Sequence, residues 1–343
     1  MLFLRIALAG WAPDDGIAQA IRCELESLGH EVTQFVFDAP VPKGVDLVFS
    51  FAPYGPLLIL ANHLGEIPEQ NRPFWIHWDT EGIPDPRIPW AIAGQLCQVR
   101  SWIGMKATEH KPGRVGSVFE ALNKTGHRFR YVGDNIHAYR CGRLKLLVNF
   151  SEIYSHYYRS AGIPALTVPW GTSKLWYEDL EMERDIDVLW MGKRRTKRRN
   201  NLLESIRSRL ESYGASMYIA DGIETPFIFG EARTILLNRA KITLNLGWHR
   251  HDNVFSSRFH MAAGNKSLVI SEPFQPHYYQ YMEDVHFVAA PRDELVSRIL
   301  YYIRHSEERM LIAENAYQLV TTKMTLRNSL ATIMEATQYG GAT

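Results

Sequence analysis

Short apolar segments alternate with segments of helical periodicity along most of this chain. In the first half, runs that predict β-strands cover residues 3–9, 31–37, 45–51, 73–78, 144–150 and 165–168. Ile17, Ile21, Leu25 and Leu28 recur at helical spacing between the first two of these runs. Strands separated by helices favour a parallel sheet, because a parallel pair needs a long crossover connection. The chain is therefore predicted to have an α/β fold.

The same pattern starts again near residue 185, which divides the 343 residues into two domains of ordinary size. We predict an N-terminal Rossmann-like domain over residues 1–172 and a C-terminal Rossmann-like domain over residues 185–325. Each is expected to be a doubly wound parallel sheet, and the two are expected to face a cleft. Residues 173–184 lack a strong pattern and are predicted to be a linker. A last helix within residues 326–343 is expected to pack back on the N-terminal domain.

The strands of the second half and the segments between residues 106 and 132 are predicted from the same signals. Strands of the second half are predicted at residues 185–192, 216–220, 242–246, 267–271 and 286–289. In the first half, residues 106–114 are predicted to form a basic loop, residues 115–125 a helix, and residues 129–132 a short strand.

Charge balance and cysteine count argue against several classes of protein. The 38 Lys and Arg residues nearly match the 37 Asp and Glu residues, so nucleic-acid binding is not favoured. Cys23, Cys97 and Cys141 are far apart and form no CxxC pair, which argues against a disulfide framework or a zinc site. No apolar run approaches the roughly 20 residues of a membrane span. We expect a soluble, cytoplasmic protein, and the sequence leaves its oligomeric state open.

A strand, a polar loop, a short helix and another strand follow one another in the second half. The strand at residues 242–246 leads into the loop 247–253, and the helix begins near Ser256, Ser257 and Arg258. A helix N-terminus presents free N–H groups, and an adjacent Arg adds a fork of donors that matches phosphate oxygens. This stretch predicts an anion site. The alternative is that Arg258 pairs with a carboxylate and the helix only packs.

A second cationic turn precedes it in the same domain. Six of the eight residues from Gly192 to Arg199 are basic, and they lie between a predicted strand and a predicted helix. Gly192 would let a ligand approach the backbone, while Lys193, Arg194 and Lys197 would neutralise a diphosphate. The run is not a Walker P-loop, and no GxGxxG motif follows the first strand of the chain. The alternatives are a nucleic-acid or anionic-surface patch and a solvated helix start.

The first half offers one group of acid and base candidates. Asp79, Glu81 and His77 lie at the end of the predicted strand 73–78, where parallel sheets bind their ligands. The alternative for Asp79 is a turn or helix cap.

Other site classes are weakly supported. His249, His251, Asp252 and His260 are close in sequence, but their spacing does not resemble a metal site, and solvated histidines are more common in polar loops. No GxSxG motif of a serine hydrolase is present. We predict no metal site.

Several segments together resemble the GT-B glycosyltransferases, and most closely the family of the spore maturation protein CgeB. The matching residues run from about Lys145 to Arg327. They are Asn149–Ser151, Tyr158, Gly162–Pro164, Val168–Gly171, Arg258–Gly264, Leu268–Glu272, Glu294, Leu295, Arg309, Ile312, Ala313 and Ala316. His260 departs from the pattern, because the family usually has Glu after the Phe that precedes it. Glu272 is a nearby acidic group that could replace that Glu.

The resemblance implies transfer of a sugar from a nucleotide-diphosphate sugar to an acceptor hydroxyl, without a metal or another cofactor. It places the donor at Gly192, Lys193, Arg194, Lys197, Ser256, Ser257, Arg258, His260 and Glu272. An inverting enzyme would need a base on the acceptor side, and Asp79 is the first choice, before Glu81 and His77. The alternatives are a non-hydrolysing nucleotide-sugar epimerase and an inactive GT-B-like protein that binds a nucleotide or nucleic acid.

Overall fold

The computed structural model describes residues 2–10, 16–51, 56–109, 126–194, 196–247, 254–274 and 279–340. Internal contacts divide the chain into two compact units. The first unit comprises residues 1–168 and 330–343, and the second comprises residues 169–329. Within the described ranges, no helix is long and apolar enough to cross a membrane.

The first unit is built on a six-stranded parallel sheet with the order β2-β1-β3-β4-β5-β6. Its strands are β1 (Arg5–Gly10), β2 (Glu31–Val36), β3 (Leu47–Phe51), β4 (Phe74–Asp79), β5 (Leu144–Asn149) and β6 (Ala165–Thr167). Among the described residues, its helices before the second unit are α1 (Gly16–Ser27), α2 (Pro56–Glu66), α3 (Trp90–Glu109), α4 (His127–Arg140) and α5 (Glu152–Ser160). A 3-10 turn covers Glu69–Asn71.

The central strands of this sheet are buried along almost their whole length. All five residues of β3 are buried, and so are the last five of the six residues of β1 and β4. Trp75 and Trp78 of β4 are completely buried. Burial of both faces explains why these strands read as continuous apolar runs, since helices cover a parallel sheet on both sides.

The predicted strand at residues 129–132 is wrong, because these residues belong to helix α4. The buried face of α4 carries the ion pair between Arg130 and Asp134, whose Nε and Oδ2 atoms are 3.4 Å apart. Ser101 of α3 donates a hydrogen bond to the other Asp134 oxygen at 2.7 Å. Charged residues at buried positions interrupt the apolar helical period that identifies such a helix in a sequence.

The neighbouring prediction of a basic loop at residues 106–114 is wrong for its first part, because α3 continues to Glu109. Residues 110–125, which include the predicted helix 115–125, lie outside the described residues.

The second unit is built on a five-stranded parallel sheet with the order β11-β10-β9-β7-β8. Its strands are β7 (Ile186–Met191), β8 (Met217–Ala220), β9 (Ala240–Asn245), β10 (Leu268–Ser271) and β11 (Val288–Ala289). Its helices are α6 (Lys197–Ser212), α7 (Gly230–Arg239), α8 (Ser257–Gly264), α9 (Leu295–Arg304) and α10 (Ser306–Thr322), with a 3-10 turn at Lys174–Trp176. Helix α11 (Leu326–Gly340) begins in this unit, and its residues from Leu330 onward group with the first. The prediction of two doubly wound parallel sheets is confirmed.

Residues 173–184 lie within the second unit and are hydrogen-bonded to its helices. Asn265, just after α8, accepts the backbone N–H of Glu178 and donates to the carbonyl of Trp176. The guanidinium of Arg184 donates to the carbonyls of Leu237 and Ala240, and also to that of Asn265. These bonds hold residues 173–184 against the C-terminal ends of α7 and α8.

The order of the second sheet fixes where a ligand site should form. The chain passes from β7 to β8 on one side, and then returns to place β9 on the other side of β7. The crevice at the carboxyl ends of β7 and β9 is therefore a topological switch point, where open α/β sheets bind ligands. The Gly192 turn follows β7 at this edge, and the segment leading to α8 follows β9.

Candidate functional site

Gly192 directly follows β7 and has a conformation that only glycine adopts readily. Its φ angle is 118°, and its carbonyl accepts a hydrogen bond from the indole N–H of Trp190 at 2.8 Å. A Cβ atom at this position would lie 2.6 Å from the Nη2 atom of Arg258. The missing side chain therefore leaves room for the guanidinium of Arg258, which brings the two sequence motifs together.

Arg258, in the first turn of α8, carries a positive charge that no carboxylate neutralises within the described residues. Its guanidinium lies over the ring of Trp190, with the Cζ atom 4.5 Å from the ring centroid. Burial lowers the pKa of Arg258 to about 10, so the group stays charged at neutral pH. The alternative of an Arg258–carboxylate pair finds no support in the described part of the chain. A desolvated cation of this kind favours an anionic ligand.

The N-terminus of α8 has no side-chain cap among the described residues. Ser256 occupies the N-cap position, but its side chain makes no capping hydrogen bond. Its hydroxyl oxygen is buried and finds no partner among the described residues. The first N–H groups of any α-helix lack intrahelical partners and form the positive end of its dipole. Ser256, Ser257 and Arg258 thus present donors and positive potential at one helix end.

The arginines of the basic run serve largely internal roles. Arg194 is buried and forms ion pairs with Asp221, Glu204 and Glu224. Arg199 donates to the carbonyl of Lys193 at 3.0 Å. It also donates to the carbonyl of Leu246, and its Cζ atom lies 5.2 Å from the centroid of the Trp190 ring. These contacts fix the shape of the turn after β7.

The two lysines of the run differ from these arginines. Lys193 and Lys197 are exposed, and Lys193 lies near the ring of Phe227, with its Nζ atom 5.7 Å from the centroid. No ion pair holds either lysine within the described ranges. Arg195 lies outside the described residues. Lys193 and Lys197 are therefore available to an anion at this edge.

Glu272, at the end of β10, forms an ion pair with Arg198. The Nη1 atom of Arg198 lies 3.2 Å from a Glu272 oxygen and 3.2 Å from the carbonyl oxygen of Gly247. Glu272 is buried, so this pair joins the start of α6 to the ends of β9 and β10.

His260 is completely buried inside the second unit. Its Nδ1 atom is 3.1 Å from the hydroxyl of Thr172, and the hydroxyl of Tyr281 is 3.3 Å from both ring nitrogens. Burial lowers the pKa of His260 to about 3, so the imidazole is neutral at physiological pH. It cannot supply the negative charge of the Glu that the resemblance led us to expect there.

No group of three metal-binding side chains occurs among the residues that the structure describes. His249, His251 and Asp252 lie outside them.

Asp79 ends β4 in the first unit and is 2% exposed. Its carboxylate accepts hydrogen bonds from the backbone N–H of Glu81 at 3.0 Å, from the amide of Asn135 at 3.3 Å and from the hydroxyl of Tyr158. Burial raises the pKa of Asp79 to about 6, while these hydrogen bonds act in the opposite direction. A carboxylate with this pKa is ionised at neutral pH and still basic enough to accept a proton.

His77 and Glu81 differ from Asp79 in their surroundings. His77 is buried, its Nδ1 atom is 2.9 Å from the hydroxyl of Ser50, and burial lowers its pKa to about 3. The hydroxyl of Ser50 also accepts the indole N–H of Trp75. Glu81 is partly buried and holds Asp79 through its backbone.

Sequence reasoning gave no site role to three residues that the structure places in these sites. Trp190 supports Arg258, and Tyr158 and Asn135 hold Asp79. Trp190 immediately precedes Met191 and Gly192 at the end of an apolar strand, where it reads as an ordinary core residue. Tyr158 and Asn135 are 79 and 56 positions from Asp79, and no local pattern joins them.

The chain is similar to one family model and to several solved structures. Residues 195–335 match the family model described as Glycosyl transferase-like. No curated protein matches the chain. HepE of Anabaena, in complex with UDP-glucose, is similar over 98% of this chain and 100% of its own, with a TM-score of 0.59 and 10% identity.

Two further solved structures show the same likeness. Sucrose-phosphate synthase from Thermosynechococcus elongatus has a TM-score of 0.60 and 10% identity, covering 99% of this chain and 100% of that one. A glycosyltransferase from Rickettsia africae has a TM-score of 0.52 and 10% identity, covering 99% of both chains. At this identity the likeness shows the fold.

The two parallel α/β units and these neighbours define a protein of the GT-B class. With the glycosyl transferase-like domain in its second half, the chain is a glycosyltransferase, as predicted. The closer resemblance to the CgeB family is not tested by these matches and stays a prediction.

Proposed function

We propose that this enzyme transfers a sugar from a nucleoside-diphosphate sugar to an acceptor hydroxyl, without a metal ion or another cofactor. One observation carries the proposal: the desolvated guanidinium of Arg258, beside Gly192 and at the N-terminus of α8, has no carboxylate partner in the described residues. A diphosphate leaving group develops negative charge as the sugar is transferred. Preorganised cations and helix N–H groups stabilise such charge most effectively where water is excluded.

The donor site then consists of groups with spare hydrogen-bonding capacity. Arg258 and the N–H groups that follow Ser256 would bind the diphosphate, and Lys193 and Lys197 would add mobile positive charge. In this proposal Arg194 and Glu272 shape the site through their ion pairs and do not touch the donor. His260 has a packing role.

The first unit would supply the proton acceptor. In an inverting displacement, the acceptor hydroxyl gives its proton to the carboxylate of Asp79. Its oxygen bonds to the anomeric carbon, and the electron pair of the broken bond leaves with the nucleoside diphosphate. Asp79 suits this role better than His77, because a buried imidazole with a pKa near 3 is a weaker base.

UDP-sugars are the donors to test first, because HepE, a structural neighbour, was solved with UDP-glucose and with UDP. Calorimetric titration should show that UDP binds and that UMP binds much more weakly, since the proposed site recognises a diphosphate. Arg258→Ala should weaken UDP binding by about 1.5–3 kcal/mol, the value of a charged hydrogen bond. Arg209→Ala changes an exposed arginine of α6 and serves as the matched control.

Transfer and donor hydrolysis should then be measured with a panel of UDP-, GDP-, TDP- and CDP-sugars. We expect activity with one nucleotide class, unchanged by a metal chelator. Equal binding of UDP and UMP, with the affinity unaffected by Arg258→Ala, would refute the donor site. Tight UDP binding without transfer or hydrolysis of any donor would instead indicate an inactive nucleotide-binding protein.

A further inference from the structure

The carboxylate of Asp79 is held at the centre of a buried hydrogen-bond cluster in the first unit. Its Oδ2 atom accepts from the hydroxyl of Tyr158 on α5 and from the amide of Asn135 on α4. Its Oδ1 atom accepts from the backbone N–H of Glu81. Tyr158 is completely buried and Asn135 is 1% exposed, so water does not compete for these bonds.

Asn135 also determines the direction of the Tyr158 hydroxyl. Its amide nitrogen donates to the Tyr158 oxygen at 2.8 Å. Because that oxygen already accepts a hydrogen bond from Asn135, the hydroxyl proton points toward Asp79. The two side chains therefore act on the carboxylate as one unit.

The two oxygens of Asp79 are consequently unequal. Oδ2 carries two side-chain donors, whereas Oδ1 carries one backbone donor and keeps acceptor capacity. We propose that Tyr158 and Asn135 are positioning residues, which hold Oδ2 so that Oδ1 takes the proton of the acceptor hydroxyl. This inference rests on the proposed function, and it adds positioning residues to the proton acceptor proposed there.

Among the described residues, hydrogen bonds and not neighbouring charges stabilise the ionised carboxylate of Asp79. His77 of β4 is buried and neutral, and the Asn149 amide of β5 bonds the Asp79 backbone carbonyl at 3.4 Å. The Cys97 thiol of α3 lies near Tyr158, and burial raises the pKa of this thiol to about 12, which keeps it neutral. No cation among the described residues acts on the carboxylate of Asp79. Its ionised form therefore depends on Tyr158, Glu81 and Asn135.

Tyr158→Phe tests the inference, and Tyr157→Phe is its matched control. Tyr157 is the preceding residue of α5, is also buried, and its hydroxyl has no partner among the described residues. Two readouts are needed: the titration of the Asp79 carboxyl carbon by 13C NMR, assigned with Asp79→Asn, and the pH profile of kcat/KM for sugar transfer. The first does not depend on activity.

In Tyr158→Phe the titration midpoint of Asp79 should rise by about one pH unit, because a hydrogen bond to the charged form is lost. The acid limb of the kcat/KM profile should move by the same amount, with UDP affinity unchanged. Tyr157→Phe should leave both curves where they are in the unmodified enzyme. Asn135→Ala should shift them in the same direction as Tyr158→Phe, which provides a second variant if that one does not fold.

An unshifted Asp79 titration in both Tyr158→Phe and Asn135→Ala would overturn the inference. A shifted titration with no sugar transfer by the unmodified enzyme would overturn the proposed function alone, and would leave the hydrogen-bond cluster as a feature that controls the charge of Asp79. The two failures are therefore distinguishable.

Discussion

The guanidinium of Arg258 fills the space that a side chain at Gly192 would need. The Nη2 atom of Arg258 is 2.6 Å from the place where a Cβ of Gly192 would stand, and Trp190 lies against the same guanidinium. The turn after β7 and the start of α8 are thus shaped for each other, although they are 66 residues apart in the sequence (258 − 192).

Gly192→Ala should displace Arg258 and so weaken UDP binding by about tenfold or more. The added methyl group would collide with the guanidinium, and a φ angle of 118° is strained for any residue except glycine. We expect a loss of stability of about 1–3 kcal/mol from the backbone strain alone. Chemical denaturation and calorimetric titration with UDP measure the two effects separately.

Gly214→Ala is the control for this variant. Gly214 follows α6 with a φ angle of 75°, but a Cβ there would meet no atom within 4 Å. It should lower stability through its backbone conformation and leave UDP affinity unchanged. Similar losses of UDP affinity in both alanine variants would show that strain, and not the contact with Arg258, is responsible.

UDP binding should depend more on the aromatic ring of Trp190 than on its indole N–H. Trp190→Phe keeps an aromatic face for Arg258 and loses the hydrogen bond to the Gly192 carbonyl, so UDP affinity should fall only a few-fold. Trp190→Leu removes the aromatic face as well and should weaken UDP binding by a further factor of about ten. Both variants should be compared by calorimetry after their folding is checked by circular dichroism. Equal UDP affinities in the two would argue against a cation–π contribution.

Asp79→Asn should abolish sugar transfer and leave UDP binding intact, and it should make the protein more stable at neutral pH. The pKa of Asp79 rises from an ordinary value of 3.8 to about 6 on folding, mainly through burial. The contribution of Asp79 to the free energy of unfolding is therefore greatest below about pH 4 and is lost as the pH rises through 6.

The stability difference between Asp79→Asn and the unmodified enzyme should consequently grow between pH 4 and pH 7, by at most about 3 kcal/mol. Urea denaturation at several pH values measures it. A difference that stays constant over this range would mean that Asp79 does not titrate with a raised pKa. Full transfer activity in the variant would exclude Asp79 as the base.

Arg194 and Lys193 are adjacent in the sequence, but their substitution should have different effects. Arg194→Ala should mainly lower stability, and Lys193→Ala should mainly lower UDP affinity. Burial acts to raise the pKa of Asp221, but the N–H groups of Glu224 and Ile223, together with Arg194, lower it overall. Arg194→Ala would leave this buried carboxylate without its cation, which typically costs about 3–5 kcal/mol.

Lys193→Ala removes an exposed side chain, and should change stability by less than about 0.5 kcal/mol. UDP affinity should fall several-fold, and less so at high salt, because the lysine acts through screened charge. Thermal unfolding and UDP titration at two salt concentrations distinguish the two residues. A stable Arg194→Ala protein with reduced UDP affinity would reverse their assigned roles.

The strands and most helices follow from local sequence, because apolar runs and helical periods are local signals. Helix α4 shows where this fails: its buried face contains Asp134, which pairs with Arg130 of the same helix and accepts a hydrogen bond from Ser101 of α3. A sequence displays the charge of such residues but not the partner that makes their burial possible.

Some residues of the candidate site could also be selected from the sequence, and the roles of others could not. Gly192, Arg258 and Asp79 stand at strand and helix ends, and those positions were enough to select them. The run around Arg194 gave no means of telling structural cations from ligand-binding ones. That distinction depends on Asp221 and Glu272, which are 27 and 74 residues from the arginines that they pair with.

The division of the chain into units has a consequence for its synthesis. The first unit contains residues 1–168 and also the part of α11 that follows residue 329, and the whole second unit is encoded between them. In α11, Leu330, Ile333 and Met334 are completely buried. During translation, all of residues 169–329 therefore leave the ribosome before the last core side chains of the first unit are available. Although N-terminal domains usually fold first during translation, the N-terminal unit of this enzyme completes its folding only after the segment that forms the second unit has emerged.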